Sequence, residues 1–141
     1  NNITWQKTNP PPNLACRCFT HSTETILWAQ KNDKKSRHFF DYQKMKEMNG
    51  GKQMKDVWTG ALTKPSEKTE GKHPTQKPEY LLEKIVLAST EDGQVILDPF
   101  CGSGTTGVEA VRFGRKFIGI DVSEEYLEIS KRRLEKVAND K

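Results

Sequence analysis

The spacing of apolar residues along the chain predicts most of its regular elements. Apolar and polar residues alternate over positions 3–7, residues 24–29 contain a short apolar run, and both patterns are typical of strands. Residues 78–88 carry apolar side chains at positions i, i+1, i+4 and i+5, which predicts a helix with a proline in its first turn. Residues 41–48 predict a shorter helix, which an Asn-Gly-Gly turn ends.

The last third of the chain alternates strand-like and helix-like patterns. We predict a strand at 95–100, a helix at 105–113, an almost continuously apolar strand at 116–122 and a final helix capped by Ser123. Short links between strands and helices favour a parallel sheet. The predicted fold class is therefore α/β, a Rossmann-like, doubly wound and mostly parallel sheet of which this chain supplies a part.

The pattern of apolar and polar residues in the final helix predicts that one face packs against the sheet and the other faces water. The side chains expected to face the sheet are Leu127, Ser130, Leu134 and Val137. The basic side chains expected to lie largely toward water are Lys131, Arg132 and Arg133.

Residues 30–72 are polar, basic and weakly periodic. They hold 11 Lys and Arg residues against 6 Asp and Glu residues, whereas the whole chain carries a net charge of +4. Such a local excess suits a polyanion, although it is also typical of a solvated surface. Most Leu, Ile, Val and Phe residues lie between positions 80 and 137. We therefore divide the chain into strands at 1–29, an irregular basic insert at 30–72 and an α/β portion at 73–141.

A glycine-rich turn follows the predicted strand that ends near Asp98. The segment DPFCGSGTT at 98–106 places glycines where the backbone bends before a helix, and helix N-terminal amides point toward the strand ends. Asp121 lies 19 residues after Gly102, at the end of the next predicted strand, where an acid accepts hydrogen bonds from ribose hydroxyls. No lysine follows the glycines, so this is no phosphate loop. A nucleotide-like cofactor site is predicted; the alternative is a tight turn with an unrelated acid.

Several motifs resemble those of one enzyme family. The segment 98–106 is similar to the S-adenosylmethionine motif of DNA amino-methyltransferases, which methylate adenine N6 or cytosine N4. The segment HPTQKP at 73–78 resembles the companion motif, in the permuted order of the family's β group. WQKTNPPP at 5–12 and ETILW at 24–28 resemble the segments that precede the target-recognition region of that group.

The resemblance implies S-adenosyl-L-methionine as the cofactor and assigns residues to it. The glycine-rich turn would line the pocket with Asp98, Phe100, Gly102, Ser103, Gly104 and Thr105. The ribose would be held by Asp121. The methionine end would be reached by His73, Thr75, Gln76 and Lys77, and a cation suits its carboxylate. Without the neighbouring motif, the segment 73–78 would be interpreted as a polar lead-in to a helix.

The basic residues 30–72 occupy the position of the family's target-recognition region. The resemblance thus implies double-stranded DNA as a partner, with phosphate contacts from Lys34, Lys35, Arg37, Lys44 and Lys46. Nearby rings could touch bases or pack locally: His38, Phe39, Phe40 and Tyr42. Trp58 is predicted to be a local packing anchor.

The family's catalytic loop, Asp/Asn/Ser-Pro-Pro-aromatic, has no counterpart in this sequence. Asn9 precedes three prolines and could accept a hydrogen bond from an exocyclic amine, but Pro12 offers no ring on which a flipped base could stack. We therefore expect no catalytic residue in this chain, with Asn9 as the substitute considered. Because the chain begins with Asn1 and the loop precedes these motifs in the β group, we interpret it as the C-terminal part of such an enzyme, completed by an upstream segment or a partner chain.

The leading hypothesis is a site-specific DNA methyltransferase that acts on adenine N6. Cytosine N4 is the alternative, as is a non-catalytic cofactor- or DNA-binding subunit that needs a partner carrying the missing loop. An RNA or small-molecule methyltransferase would leave the 73–78 match unexplained.

The cysteines and the lack of long apolar runs argue against a disulfide-bonded, metal-binding or membrane protein. Cys16, Cys18 and Cys101 form no disulfide framework and lack metal-ligand spacing, so we predict reduced thiols, no metal and a cytoplasmic location. No run approaches membrane-spanning length and no signal peptide is visible, so no membrane partner is expected.

Overall fold

The computed structural model describes residues 1–31 and 37–140. Its first three strands form one sheet: β1 (Asn2–Lys7), β2 (Thr23–Leu27) and β3 (Val57–Gly60). The sheet order is β2-β1-β3, in which β2 runs antiparallel and β3 parallel to the central β1. The structure confirms the two strands predicted near positions 3–7 and 24–29. It adds β3, which lies within residues 30–72 and was not predicted.

A second sheet carries the glycine-rich turn. It consists of two parallel strands, β4 (Val95–Asp98) and β5 (Lys116–Gly119), paired so that Asp98 lies opposite Gly119. Helix α3 (Thr105–Arg112) connects them, and α4 (Glu124–Asn139) follows β5. This order confirms the predicted parallel β-α-β-α portion and the α/β class.

Two further helices and a short 3₁₀ turn complete the described elements. They are α1 (Tyr42–Met48), α2 (Glu79–Ser89) and the turn Pro65–Lys68. The carboxylate of Asp41 caps α1 by accepting from the backbone N–H of Lys44 at 2.8 Å. The hydroxyl of Ser123 accepts from the N–H of Tyr126, which confirms the predicted cap of α4.

The main core lies between the three-stranded sheet and α2. Ile3, Trp5, Trp58 and Leu81 are buried together there. The indole of Trp5 donates a hydrogen bond to the hydroxyl of Tyr80 at 2.7 Å, so the polar atom of this buried ring is satisfied. Trp58 packs in this core, as predicted from the sequence.

One face of the two-stranded sheet is covered and the other is exposed. Phe117 packs against α3, where a Cβ added to Gly107 would lie 2.5 Å from its ring. On the opposite face, Val95, Leu97 and Ile118 are each more than half exposed. Parallel strands normally have both faces covered. The exposed face is therefore an unusual feature of the described chain.

The orientation expected for Arg133 is wrong. Its side chain is only 5% exposed and lies beneath the glycine-rich turn, whereas Lys131 and Arg132 are exposed as predicted. Residues three and four apart share a helix face, so Arg133 follows Ile129 and Ser130, which are also buried. A guanidinium can be buried there because acceptors surround it.

In the described residues, no helix has both the length and the apolar character that crossing a membrane requires.

Candidate functional site

The Asp98 carboxylate shapes the turn that follows β4. One of its oxygens accepts from the backbone N–H of Phe100 at 3.1 Å, and the other accepts from the hydroxyl of Thr106 at 2.6 Å. Thr106 lies in the first turn of α3, so these two bonds tie the strand end to the helix start. The chain bends between them, and Gly102 adopts a left-handed φ of 50°.

Asp121 joins the ends of the two parallel strands. Its Oδ2 accepts from the backbone N–H of Gly102 at 2.9 Å, and its Oδ1 accepts from that of Ser123 at 2.9 Å. These two hydrogen bonds, that of Ser123 first, lower the pKa of Asp121. The sequence predicted that Gly102 and Asp121 lie close together, and the hydrogen bond between them confirms it. A carboxylate has about four acceptor positions, so the group can accept further hydrogen bonds.

The segment 73–78 approaches this turn closely. A Cβ on Gly102 would lie 2.9 Å from Nε2 of His73, so only glycine leaves room for the imidazole. On its other side, the His73 ring contacts the ring of Tyr126 edge-on, with centroids 4.2 Å apart. Burial lowers the pKa of His73, although the nearby charge of Asp121 acts in the opposite direction.

Gln76 and Lys77 are held by neighbouring segments. Gln76 is buried, and its Nε2 donates to the backbone carbonyl of Glu67 at 2.7 Å. Its Oε1 is buried without a hydrogen-bond partner among the described residues. The ammonium of Lys77 lies 3.2 Å from the carboxylate of Glu24, which also pairs with Lys7 at 2.9 Å.

An open cavity of about 200 Å³ lies between the turn and the segment 73–78. It is lined by His73, Thr75, Gln76, Lys77, Leu82, Asp98, Phe100, Cys101, Gly102, Ser103, Thr105 and Thr106. The structure thus brings together all but two of the residues predicted for the cofactor. The exceptions are Gly104, which packs against α4, and Asp121, which accepts from the backbone N–H of Gly102 and does not line the cavity.

Three lining residues were not predicted. Cys101 and Thr106 belong to the quoted motif, so their place in it was the available signal. Leu82 was assigned to the apolar stripe of α2, and its contact with the cavity depends on how that helix packs. In the described residues, no group of three or more His, Cys, Asp and Glu side chains could hold a metal ion.

Those residues predicted to contact DNA that the structure describes do not line this cavity. Lys34 and Lys35 lie outside the described residues. Arg37 and Lys44 are exposed, and Lys46 is half-buried on α1.

Asn9, considered as a catalytic substitute, accepts a hydrogen bond through its Oδ1 from the backbone N–H of Leu62 at 2.8 Å. The structure therefore gives the Asn9 side chain a local role in holding the loop at residue 62.

Two curated proteins are similar to almost the whole chain. M2.LlaDCHI of Lactococcus lactis subsp. cremoris, a type II methyltransferase, is 75% identical over 138 residues, which are 98% of this chain and 51% of that protein. The type II methyltransferase M2.DpnII of Streptococcus pneumoniae is 74% identical over 135 residues, 96% of this chain and 50% of that protein. The chain thus spans about half the length of these curated relatives.

Solved structures and a family profile agree with these relatives. The M1.HpyAVI–SAM complex is 35% identical with a TM-score of 0.74, covering 95% of this chain and 60% of that one. The cytosine-N4-specific PvuII DNA methyltransferase has a TM-score of 0.72 at 20% identity, which supports the fold alone; it covers 98% of this chain and 54% of that one. The family described as DNA methylase matches residues 1–132. Because this match covers almost the whole chain, including the glycine-rich turn and the segment 73–78, the chain belongs to the DNA methylase family.

Proposed function

We propose that this chain provides the S-adenosylmethionine site of a site-specific DNA methyltransferase that modifies adenine N6. The observation that carries the proposal is the cavity between the turn at 98–106 and the segment at 73–78, two motifs separated in the sequence. The SAM complex of M1.HpyAVI, which has the same fold over this region, supports it. When bound, S-adenosylmethionine supplies an electrophilic sulfonium methyl group.

The cavity residues fit the polar groups of this cofactor. The buried Oε1 of Gln76 has no donor within the part of the chain that the structure describes, and an α-ammonium group is such a donor. Asp121 does not line the cavity but holds the lining residue Gly102, and it keeps acceptor capacity for ribose hydroxyls beside its two backbone bonds. Lys77 offers a cation for a carboxylate, shared with Glu24. Phe100 is 86% exposed and offers an aromatic face for a purine.

We further propose that another segment or a partner chain completes the site. The cavity of about 200 Å³ is smaller than the roughly 300–1,000 Å³ of typical ligand pockets. The apolar face that carries Val95, Leu97 and Ile118 is open, and a further layer would cover it. The chain spans about half of its curated relatives, and its sequence has no Pro-Pro-aromatic loop.

A second candidate function is a cofactor- or DNA-binding subunit without its own catalysis. The missing loop favours it, since the sequence has no Asp/Asn/Ser-Pro-Pro-aromatic segment with which the family binds a flipped base. Methyl transfer from labelled S-adenosylmethionine by the chain alone would exclude it. The methylated base in digested DNA distinguishes adenine N6 from cytosine N4.

Substitution of Asp121 by alanine tests the cofactor assignment. We expect the affinity for S-adenosylmethionine to fall by about tenfold or more, because ribose acceptors and the support of Gly102 are lost together. Isothermal titration calorimetry of the purified chain measures the change. Asp140→Asn, at the exposed end of α4, is the control that should bind as the unmodified chain does. Equal affinity in a folded Asp121→Ala variant would refute the ribose assignment.

Charge reversal at Arg37 and Lys44 tests the DNA assignment. Both side chains are exposed in the basic segment, so reversal to glutamate should weaken DNA binding and reduce its salt dependence by a slope of about two. Fluorescence anisotropy across a salt series measures this slope. Lys131→Glu, exposed on α4, is the matched control. An unchanged slope in the double variant would remove these residues from the DNA interface.

A further inference from the structure

A buried arginine connects both walls of the proposed cofactor cavity. Nη1 of Arg133 donates to the backbone carbonyl of Ser103 at 2.8 Å and to the hydroxyl of Thr105 at 3.0 Å, both in the glycine-rich turn. Nη2 of the same guanidinium lies 3.1 Å from Oε1 of Glu79. One planar group from α4 thus binds two segments that are distant in the sequence.

Glu79 is the first residue of α2 and directly follows the other cavity wall, at 73–78. Its position is fixed on several sides. Its backbone N–H donates to the carboxylate of Glu67 at 2.9 Å, and its second carboxylate oxygen accepts from Arg112 at 2.9 Å. A group that holds Glu79 therefore also holds the end of the wall that includes Gln76 and Lys77.

We propose that Arg133 is a positioning residue that sets the separation between the two walls of the cavity. This inference rests on the proposed function, because the separation matters only to a ligand that both walls contact. The guanidinium is 5% exposed and does not line the cavity as described, so it acts through Ser103, Thr105 and Glu79.

The cost of burying a charge indicates that Arg133 acts mainly by fixing the positions of its acceptors and contributes little to net stability. Removing a charge from water has a large desolvation cost, and a buried ion pair often contributes little net stability. A guanidinium, however, presents five donors in a rigid plane, so it fixes the directions of several acceptors at once. A lysine ammonium keeps the charge but is a compact point donor, which cannot bind the turn and Glu79 in the same arrangement.

The test compares Arg133→Met and Arg133→Lys with the neighbouring control Arg132→Met. Arg132 is exposed, and among the described residues it donates to the carbonyl of Glu70 alone, so its replacement should leave binding unchanged. Calorimetry with S-adenosylmethionine is done at a temperature where circular dichroism shows every variant folded. We expect an affinity loss of about tenfold for Arg133→Met and a smaller loss for Arg133→Lys.

Amide hydrogen exchange supplies a readout independent of the cofactor. We expect faster exchange in the turn at 102–106 and at 76–81 in the Arg133 variants, with β1 unchanged. A uniform increase over the chain would mean a general structural role and would overturn the proposal. So would unchanged affinity together with unchanged exchange in Arg133→Lys, the variant that keeps the buried charge and decides the matter if Arg133→Met unfolds.

The outcomes separate this inference from the proposed function. If the unmodified chain does not bind S-adenosylmethionine, the cofactor assignment fails, and the exchange pattern still decides whether Arg133 holds the two walls. If it binds and a folded Arg133→Met variant binds equally well, the cofactor assignment stands and the positioning role is refuted.

Discussion

Replacement of Gly104 by alanine is expected to destabilise the chain by about 3–4 kcal/mol. Gly104 precedes α3 with a left-handed φ of 76°, which costs an alanine roughly 1–2 kcal/mol. A Cβ there would also lie 2.1 Å from the Oγ and 2.8 Å from the Cβ of Ser130. Ser130 is buried on α4, so the helix itself must shift. Urea denaturation measures the loss.

Gly93 offers a matched control for the backbone contribution. Its φ of 77° equals that of Gly104 to within a degree, but nothing lies within 4 Å of an added Cβ. Gly93→Ala should therefore cost only the roughly 1–2 kcal/mol of the left-handed conformation. The difference between the two variants measures the steric part. Equal losses of unfolding free energy in the two variants would show that α4 shifts without an energetic cost. That result would contradict the close packing of the turn against α4.

A second background isolates the contact with Ser130. Ser130→Gly removes both side-chain atoms that the new Cβ would meet, at a cost of about 1 kcal/mol for glycine within a helix. In that background, the further loss from Gly104→Ala should fall toward the loss seen for Gly93→Ala and stay somewhat above it, because the new Cβ would still lie 3.1 Å from the Cα of residue 130. A loss as large as in the unmodified chain would place the strain elsewhere.

Local sequence features were sufficient to predict the glycine-rich turn and the acid, Asp121, that binds it. The glycines, the strand ending at Asp98 and the acid at 121 are each short-range signals, and the structure confirms that they meet: Asp121 accepts from Gly102. Their roles toward the cofactor remain predictions. The turn could be anticipated because parallel strands joined by a helix place their carboxyl ends at one edge.

Long-range pairing explains what the sequence did not predict. Strand β3 has four residues, too few for a periodic pattern, and it exists because it pairs with β1 more than fifty positions earlier. Arg133 stands in a run of three basic residues, and only the packing of α4 decides which of them is buried. Acceptors from Ser103 and Glu79, distant in sequence, make that burial tolerable.

Glu109 is a buried acid that local patterns also did not predict. It lies on α3 with no exposed surface; one carboxylate oxygen accepts from Arg112, and the other has no partner among the described residues. Burial raises the pKa of Glu109 to about 7; the charge of Arg112 lowers it and those of Glu79 and Glu83 raise it. The folded chain thus holds a proton that the unfolded chain releases near pH 4.5.

The sign of the resulting pH dependence is fixed by this difference. Below pH 4.5 Glu109 is protonated in both states, and its contribution to stability is fully present. Between pH 4.5 and about 7 only the folded state keeps the proton, so the free energy of unfolding falls as the pH rises. The total loss above pH 7 is on the order of 3 kcal/mol, from the difference in pKa between the two states.

Glu109→Gln should remove this decline, because glutamine is neutral at every pH and nearly the same shape. We expect the variant to be more stable than the unmodified chain by about 2–3 kcal/mol at pH 8, and close to it at pH 4.5, where both side chains are neutral. Urea denaturation at a series of pH values measures both curves. Glu128→Gln, exposed on α4, should follow the unmodified chain. Parallel curves for Glu109→Gln and the unmodified chain would mean that Glu109 is ionised in the folded state, held by Arg112.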